Sequence, residues 1–362
     1  MGFFALSILI LSSYAWAIGK WINRWRKVSK VNEGAASILV DSGLTVIVPS
    51  RDEASHLPLL LADLKNQSLS VRVLVVDDQS EDDTMAQASA LGVEVIPSEG
   101  VGKKAAIITG MKVIKTPWVA TLDADVRVGH DWAKSMVQAA ADRSAQAVVG
   151  TVRLTPHAHG WQRFQALEYG CMMVWIGGGI SKGTLAMGSG ANLLFSHAHY
   201  PIDELQTHWA SGDDSFALEA LREAGHSIVW NGDQAARADT ATAPDWPTLW
   251  MQRARWASKA QGYENEESRN IAGLVAAVSL VLFAWIVASV LLLNLRVFGA
   301  TCLLWMIKTL VDGAMLRTTS RGFEISLNLR DIMLFPIRYL ILVVGSWVKM
   351  MSGKMVWKGR RI

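Results

Sequence analysis

Two cysteines, Cys171 and Cys302, are all that 362 residues contain. They lie far apart and fit no metal-ligand or disulfide spacing, so both read as small hydrophobes. Net charge is also low. Thirty-five Lys and Arg against 32 Asp and Glu leave +3, too little to argue for nucleic acid as a partner. His197, His199, His208 and His226 lack a third partner at ligand spacing, which argues against zinc. No Gly-rich turn follows the first strand-like run, so neither a dinucleotide fingerprint nor a P-loop is present.

What the chain has in quantity is apolar surface, 51% of its residues with 16 Trp, gathered at the two ends. Phe3–Ile18 is an apolar run, and Lys20, Arg24, Arg26, Lys27 and Lys30 follow it directly. Ala15-Trp16-Ala17 imitates a signal-peptidase site, but no cation precedes the run and many follow it. We read residues 1–19 as an uncleaved anchor, lengthened by interfacial Trp16, Trp21 and Trp25, and residues 20–43 as a basic juxtamembrane linker. Basic flanks favour the cytoplasmic side, which places the large domain inside the cell.

A second apolar region occupies residues 271–350. Ile271–Leu295 carries no charge and is long enough to span. Val297–Leu316 follows Arg296 and contains Lys308 and Asp312, and Arg317, Arg321 and Arg330 mark a return to the cytoplasm. Ile332–Val348 is interrupted by Pro336 and Arg338. Its uncharged part, Tyr339–Val348, is too short to cross alone, so an interfacial or re-entrant element is expected. Residues 351–362 form a basic cytoplasmic tail with Lys354, Lys358, Arg360 and Arg361.

Between these regions, residues 44–263 alternate β-branched runs with helical spacing. "LTVIVPS" and "VRVLVVDD" are strands, and "HLPLLLADLKNQ" between them is a helix; "VEVIPSEG", "KKAAIITGMKVI", "WVATLDAD", "WAKSMVQAAAD" and "AQAVVGTVRL" continue the pattern. Continuous apolar strands alternating with helices predict an α/β domain with a mostly parallel sheet covered on both faces. Such sheets bind ligands beyond the carboxyl ends of their strands. The polar residues fall there: Ser50-Arg51-Asp52-Glu53, Asp77-Asp78, and Asp123-Ala124-Asp125. A D-x-D triplet alone arises about once by chance in a chain this long, so its position carries the meaning. A pyrophosphate bound without a Gly-rich loop needs another counter-charge, and a divalent metal on carboxylates supplies one. Lys103, Lys104, Arg253 and Arg255 offer further cations.

Four elements in order, "VVDDQSEDDT" (75–84), "DAD" (123–125), "SGDDSF" (211–216) and "QRARW" (252–256), resemble the family 2 glycosyltransferases of GT-A, Rossmann-like fold. The similarity is greatest to the membrane-bound kind that includes ceramide glucosyltransferases and polysaccharide synthases. "GSGANLLF" (188–195) resembles the stretch before their catalytic carboxylate. A Q-x-x-R-W pentapeptide should occur by chance in about one chain in a hundred, so the ordered set is specific.

The resemblance implies donor-nucleoside contacts for Asp78 with Glu53 and Asp77, and a place near uridine or phosphates for Lys103 or Lys104. It implies ribose and metal (Mg²⁺ or Mn²⁺) at Asp123 and Asp125, with Asp125 the better ligand. Asp214 aligns with the general base, and Asp213 beside it keeps a second carboxylate in view. Gln252, Arg255 and Trp256 would hold the pyrophosphate and the sugar or acceptor, with Arg253 a donor contact or a loop support.

The chemistry asks for such groups independently: a base on the acceptor hydroxyl and charge stabilisation on the leaving diphosphate. The expected function is an inverting, membrane-anchored transfer from a nucleotide sugar, UDP-linked by preference, to a lipid or membrane-proximal acceptor. A processive polysaccharide synthase is the alternative within the class, and an inactive membrane scaffold the alternative outside it. Asp82 and Asp83 read as turn and N-cap residues. Trp161, Met172, Met173 and Trp175 fit either a core or lipid contact.

Overall fold

The structure, a computed structural model, describes residues 2–28, 43–206, 209, 212–258, 265–353, 356–358 and 360–361. The expectations for Lys30, His208 and Lys354 fall outside the described residues. In chain order the first elements are α1 (Gly2–Trp25), β1 (Leu44–Ser50), α2 (Leu57–Lys65), β2 (Arg72–Asp77), α3 (Thr84–Ala90), β3 (Glu94–Pro97), α4 (Lys103–Val113) and β4 (Trp118–Thr121). Next come β5 (Arg127–Val128), α5 (Trp132–Asp142), β6 (Ala147–Gly150), β7 (Val152–Thr155), α6 (Gly160–Ser181), β8 (Leu193–Ser196), α7 (Asp213–Glu223), β9 (Ile228–Asn231) and β10 (Ala238–Ala241). Helices α8 (Trp246–Ser258), α9 (Glu266–Leu292), α10 (Leu295–Phe323) and α11 (Leu329–Met351) follow, and strands β11 (Val356–Trp357) and β12 (Arg360–Arg361) close the chain.

The chain forms two compact units. One comprises residues 28–153, 179–241 and 356–362. Its seven-stranded sheet runs β3-β2-β1-β4-β8-β6-β9, parallel except for β8, which is antiparallel to β4 and β6. Val46, Ile47 and Val48 of β1 and Val75 and Val76 of β2 are fully buried, as strands covered on both faces must be. Each such side chain contributes about 1.5–3 kcal/mol of transfer free energy. Register decides where the polar ends fall. Ser50 pairs with Asp77 and Ile47 with Thr121, so the loops after β1, β2 and β4 emerge at one edge.

The run "AQAVVGTVRL", read as one segment, divides into β6 of the large sheet and β7 of a three-stranded sheet ordered β5-β10-β7. Asn192 lies at the division. Its Nδ2 donates to the Thr151 and Ala236 carbonyls at 2.8 Å each. Its Oδ1 accepts from Trp132 Nε1 at 2.9 Å, so a buried polar group is saturated where the chain changes sheets.

The other unit comprises residues 1–27, 154–178 and 242–355. Helices α1, α9, α10 and α11 are each long and apolar enough to cross a membrane. Helix α1 runs past the apolar stretch to Trp25, with Lys20 over the Trp16 ring and Arg24 paired with Glu267. Met173 is fully buried and Trp175 packs on Trp21, so this part of α6 contributes to a core.

Helix α11 differs from the sequence expectation, because it does not break at Pro336. An Asn328–Asp331 capping box starts it two turns earlier, Phe335 and Pro336 are buried, and Arg338 Nη1 donates to the Gly160 carbonyl at 2.8 Å. Tertiary contacts thus offset the hydrogen bond that proline removes.

Within α10, Lys308 pairs with Asp312 four residues on, and Asp312 Oδ1 accepts from Tyr14 Oη of α1 at 2.8 Å. Both charges are nearly fully buried, and their mutual satisfaction is what an apolar setting requires.

Candidate active site

The β1 and β2 loops are tied together by their own polar residues. Asp52 stands at φ 50° and Gln79 at φ 58°, sharp turns that reverse the chain just beyond the sheet. The Asp52 amide donates to Ser80 Oγ at 3.0 Å, and the Glu81 amide donates to Asp52 Oδ1 at 2.8 Å. Buried Arg51 donates to the carbonyls of Asp78 (2.8 Å) and Gln79 (2.6 Å). Asp77 accepts from the Ser80 amide and hydroxyl at 3.1 and 2.5 Å, so it shapes the turn and is not turned outward. Asp82 likewise accepts from the Thr84 and Ala54 amides, the turn role expected of it.

Asp78 is 2% exposed. Its Oδ1 accepts from the amide of Gly102 at 3.0 Å and from Arg360 Nη1 at 2.8 Å, and its Oδ2 is buried with no partner among the described residues. Glu53 Oε1 lies 2.6 Å from Lys358 Nζ and its Oε2 3.0 Å from His56 Nδ1. Lys358 and Arg360 belong to the β11–β12 tail, which sequence reasoning identified only as basic.

Lys103, at the start of α4, sits between two carboxylates distant in sequence: 2.7 Å from Asp123 Oδ1 and 3.1 Å from Asp213 Oδ2. Burial alone would lower its proton affinity, yet Asp123 and Asp213 hold it well above the ordinary lysine value. The two carboxylates thus favour its charged form. Lys104 turns elsewhere, to the Gln206 carbonyl (2.9 Å) and the Phe216 ring, so of the two candidates Lys103 meets the carboxylates.

Gly190 explains part of "GSGANLLF". A Cβ there would fall 2.6 Å from Lys103 Nζ and 2.7 Å from Asp213 Oδ2, so a side chain would collide with the ion pair. Its amide donates to Asp214 Oδ2 at 3.1 Å, and its carbonyl accepts from Lys103 Nζ at 3.2 Å. Gly212 caps α7 at φ 95°, a left-handed turn that places Asp213 and Asp214 in the first helical turn, where the helix dipole favours negative charge. The Ser215 amide and hydroxyl donate to Asp214 Oδ1 at 2.6 and 3.1 Å, which fixes the carboxylate.

Asp125 is an exposed residue. The protein mass around it, then Asp123 and Glu53, push its carboxyl up to about 6. Thr240 Oγ1 approaches its Oδ2 at 3.4 Å. Among the described residues no group of three or more His, Cys, Asp or Glu forms a closed metal cage. Two carboxylates at the mouth of a sheet instead suit a hard cation whose remaining ligands come from substrate.

Gln252, Arg253, Arg255 and Trp256 lie on α8 in the other compact unit. Arg253 forms a forked pair with Glu168, donates to Gln252 Oε1 at 2.7 Å, and stacks 4.2 Å from the Trp256 ring centroid. The loop-support role weighed for it has a partner in Glu168.

Comparison with known proteins shows what the chain is similar to. Residues 45–173 match the family described as "Glycosyl transferase family 2". A 4,4'-diaponeurosporenoate glycosyltransferase of Staphylococcus haemolyticus is 28% identical over 160 residues, 42% of this chain and 42% of that protein. An uncharacterized glycosyltransferase of Mycobacterium tuberculosis is 31% identical over 121 residues, 33% of this chain and 54% of that one. The chain thus spans about half the length of the curated relatives it matches. Among solved structures, the mannosyltransferase PcManGT from Pyrobaculum calidifontis, in complex with GDP-Man and Mn²⁺, superposes with a TM-score of 0.60 at 16% identity. That match covers 96% of this chain and 99% of that one. Sheet order and this likeness show a fold of the GT-A type. More particularly, residues 45–173 are similar to the family 2 glycosyltransferases.

Proposed function

We propose that this chain transfers a sugar from a nucleoside-diphosphate sugar, UDP-linked by preference, to a hydroxyl on a lipid or membrane-proximal acceptor, with inversion at the anomeric carbon. The observation that carries the reading is the Lys103 bridge, which links the D-x-D carboxylate Asp123 to Asp213, beside a fixed Asp214. A donor site and a base site are thereby held together by one cation. Asp214 takes the acceptor proton as the acceptor oxygen attacks the anomeric carbon. The bond to the diphosphate breaks, and its electron pair leaves with the diphosphate. Asp125 and Asp123 would hold a divalent ion, Mg²⁺ or Mn²⁺, which supplies charge stabilisation on the leaving group. The solved mannosyltransferase of the same fold carries Mn²⁺ with its donor, in support of this choice. Glu53 and Asp78 are assigned to the nucleoside, and Arg255 and Trp256 to the diphosphate and sugar.

Membrane attachment through α1 and the C-terminal helices favours an acceptor at the bilayer. Parity refines the topology. The chain leaves the sheet unit after Ala241 and re-joins it at Val356, because the tail bonds to the β1 and β2 loops. A return to the same side requires an even number of crossings. We therefore assign α9 and α10 as the crossing pair, with α11, which carries Arg330, Asp331, Arg338 and Lys349, lying along or re-entering the interface.

Incubating membranes that contain the protein with a panel of nucleotide sugars, followed by mass spectrometry of the lipid fraction, tests the function. A sugar adduct on lipid is expected. Donor turnover into long polymer alone would replace this reading with the synthase alternative.

A further inference from the structure

The last described residues of the chain bond to the same carboxylates that the donor would use. Strands β11 and β12 form a tight antiparallel hairpin, with Val356 paired to Arg361 and Trp357 to Arg360, reversed through Lys358 at φ 47°. Its two described side chains both point at the sheet edge. Lys358 Nζ donates to Glu53 Oε1 at 2.6 Å and to the Asp52 carbonyl at 3.1 Å. Arg360 donates to Asp78 Oδ1 at 2.8 Å, to the Asp78 carbonyl at 3.3 Å and to Gln79 Oε1 at 2.7 Å. In return, Arg51 Nε donates to the Lys358 carbonyl at 3.3 Å.

Two features show that this seat suits another occupant. Asp78 Oδ2 is buried without a partner among the described residues, although a buried carboxylate oxygen normally finds a donor. Arg360 satisfies one oxygen and leaves the other unmet. Beside the hairpin, a polar cavity of about 750 Å³ stays open between Arg51, Asp52, residues 79–81, Lys358 and Arg360. That volume is within the range of small-molecule sites, about 300–1,000 Å³. The hairpin rests on a ligand-sized space without filling it.

We propose that the C-terminal hairpin is an internal competitor for the nucleoside end of the donor site: Lys358 and Arg360 occupy Glu53 and Asp78 until the nucleotide displaces them. The inference rests on the transferase reading given above. With Arg360 in place no face of Asp78 is open, so a nucleoside N–H or hydroxyl reaches that carboxylate only when the hairpin leaves. The competitor is tethered, so its effective concentration is on the order of millimolar and independent of protein dilution. A donor that binds only the open form then shows its intrinsic affinity divided by the open fraction.

The test uses the chain in detergent or nanodiscs, full length and ended at Gly353, with UDP and GDP titrated in the presence of Mn²⁺. The double variant Lys358→Glu/Arg360→Glu keeps the tail but reverses its charge. A synthetic peptide of residues 354–362 is added to the shortened chain. Removing or reversing the hairpin should tighten nucleotide binding about tenfold. The peptide should restore the weaker value competitively, and Asp78→Asn should abolish peptide binding. Nucleotide affinity that is unchanged or weaker after truncation, with the peptide still binding, overturns the competitor role and leaves the transferase reading intact. Peptide binding with no nucleotide binding to any form overturns both.

Discussion

Lys103 Nζ lies 2.7 Å from Asp123 Oδ1, joining the D-x-D loop to the N-terminus of α4. The same ammonium reaches Asp213, so removing it leaves two carboxylates facing each other with no cation between them. We expect Lys103→Met to lower transfer about 100-fold or more, the scale of losing one preorganised electrostatic contact. Steady-state kinetics with saturating donor measure it, and turnover within twofold of wild type would remove the bridge from the mechanism.

Asp214 and Asp213 separate by function. Asp213 faces Lys103, whereas Asp214 accepts from the Gly190 and Ser215 amides. Asp214→Asn should keep nucleotide affinity and lose about 10²–10⁴ in transfer, because an amide cannot take the acceptor proton. An active Asp214→Asn beside a dead Asp213→Asn would move the base by one residue.

Asp125 predicts a pH dependence. Its folded carboxyl titrates at about 6 against an ordinary 3.8, so the folded state binds this proton more tightly than the unfolded chain. Its contribution to stability is fully present below 3.8 and is lost as the pH rises through about 6. Metal-free Asp125→Asn should therefore melt above wild type at pH 7.5, with the difference vanishing toward pH 4. Mn²⁺ affinity of the wild type should rise with pH across the same window. A pH-independent melting difference contradicts the assignment.

Arg253 and Arg255 sit two residues apart on α8 with different expected roles. Arg253→Met strands the Glu168 carboxylate and should cost about 3 kcal/mol of stability, read as a lower Tm in detergent. Arg255→Lys should fold normally yet lose turnover, because a lysine keeps the charge without the planar fork. Full turnover in Arg255→Lys would withdraw its leaving-group role.

Lys308, Asp312 and Tyr14 form a buried polar cluster between α10 and α1. Asp312→Ala alone should cost about 3–5 kcal/mol by leaving a buried ammonium unpaired. Joint replacement by Leu at both positions should restore expression and transfer if the pair is structural. A well-expressed double variant with a raised acceptor KM and normal donor hydrolysis would instead mark a head-group route.

The sequence by itself determined what is local. Val46–Val48 and Val75–Val76 read as strands because β-branched residues buried on both faces leave a continuous apolar run. Asp78, Asp123 and Asp125 read as strand-end residues because polarity switches there. Motif order then pointed to the family, which residues 45–173 match. What it could not determine is which distant side chains share one cation or one acceptor. Lys103 meets Asp123 and Asp213 only because register and crossover bring the start of α4, the end of β4 and the start of α7 to one edge. The same holds for Gly190, whose missing side chain makes room for a pair formed by other segments. Pro336 looked like a break because proline removes a helical hydrogen bond, but burial and the Arg338 contact with Gly160 carried the helix through. The tail's basic residues carried no address in sequence, since electrostatic pairing depends on distance in space, and only the folded chain set Arg360 against Asp78.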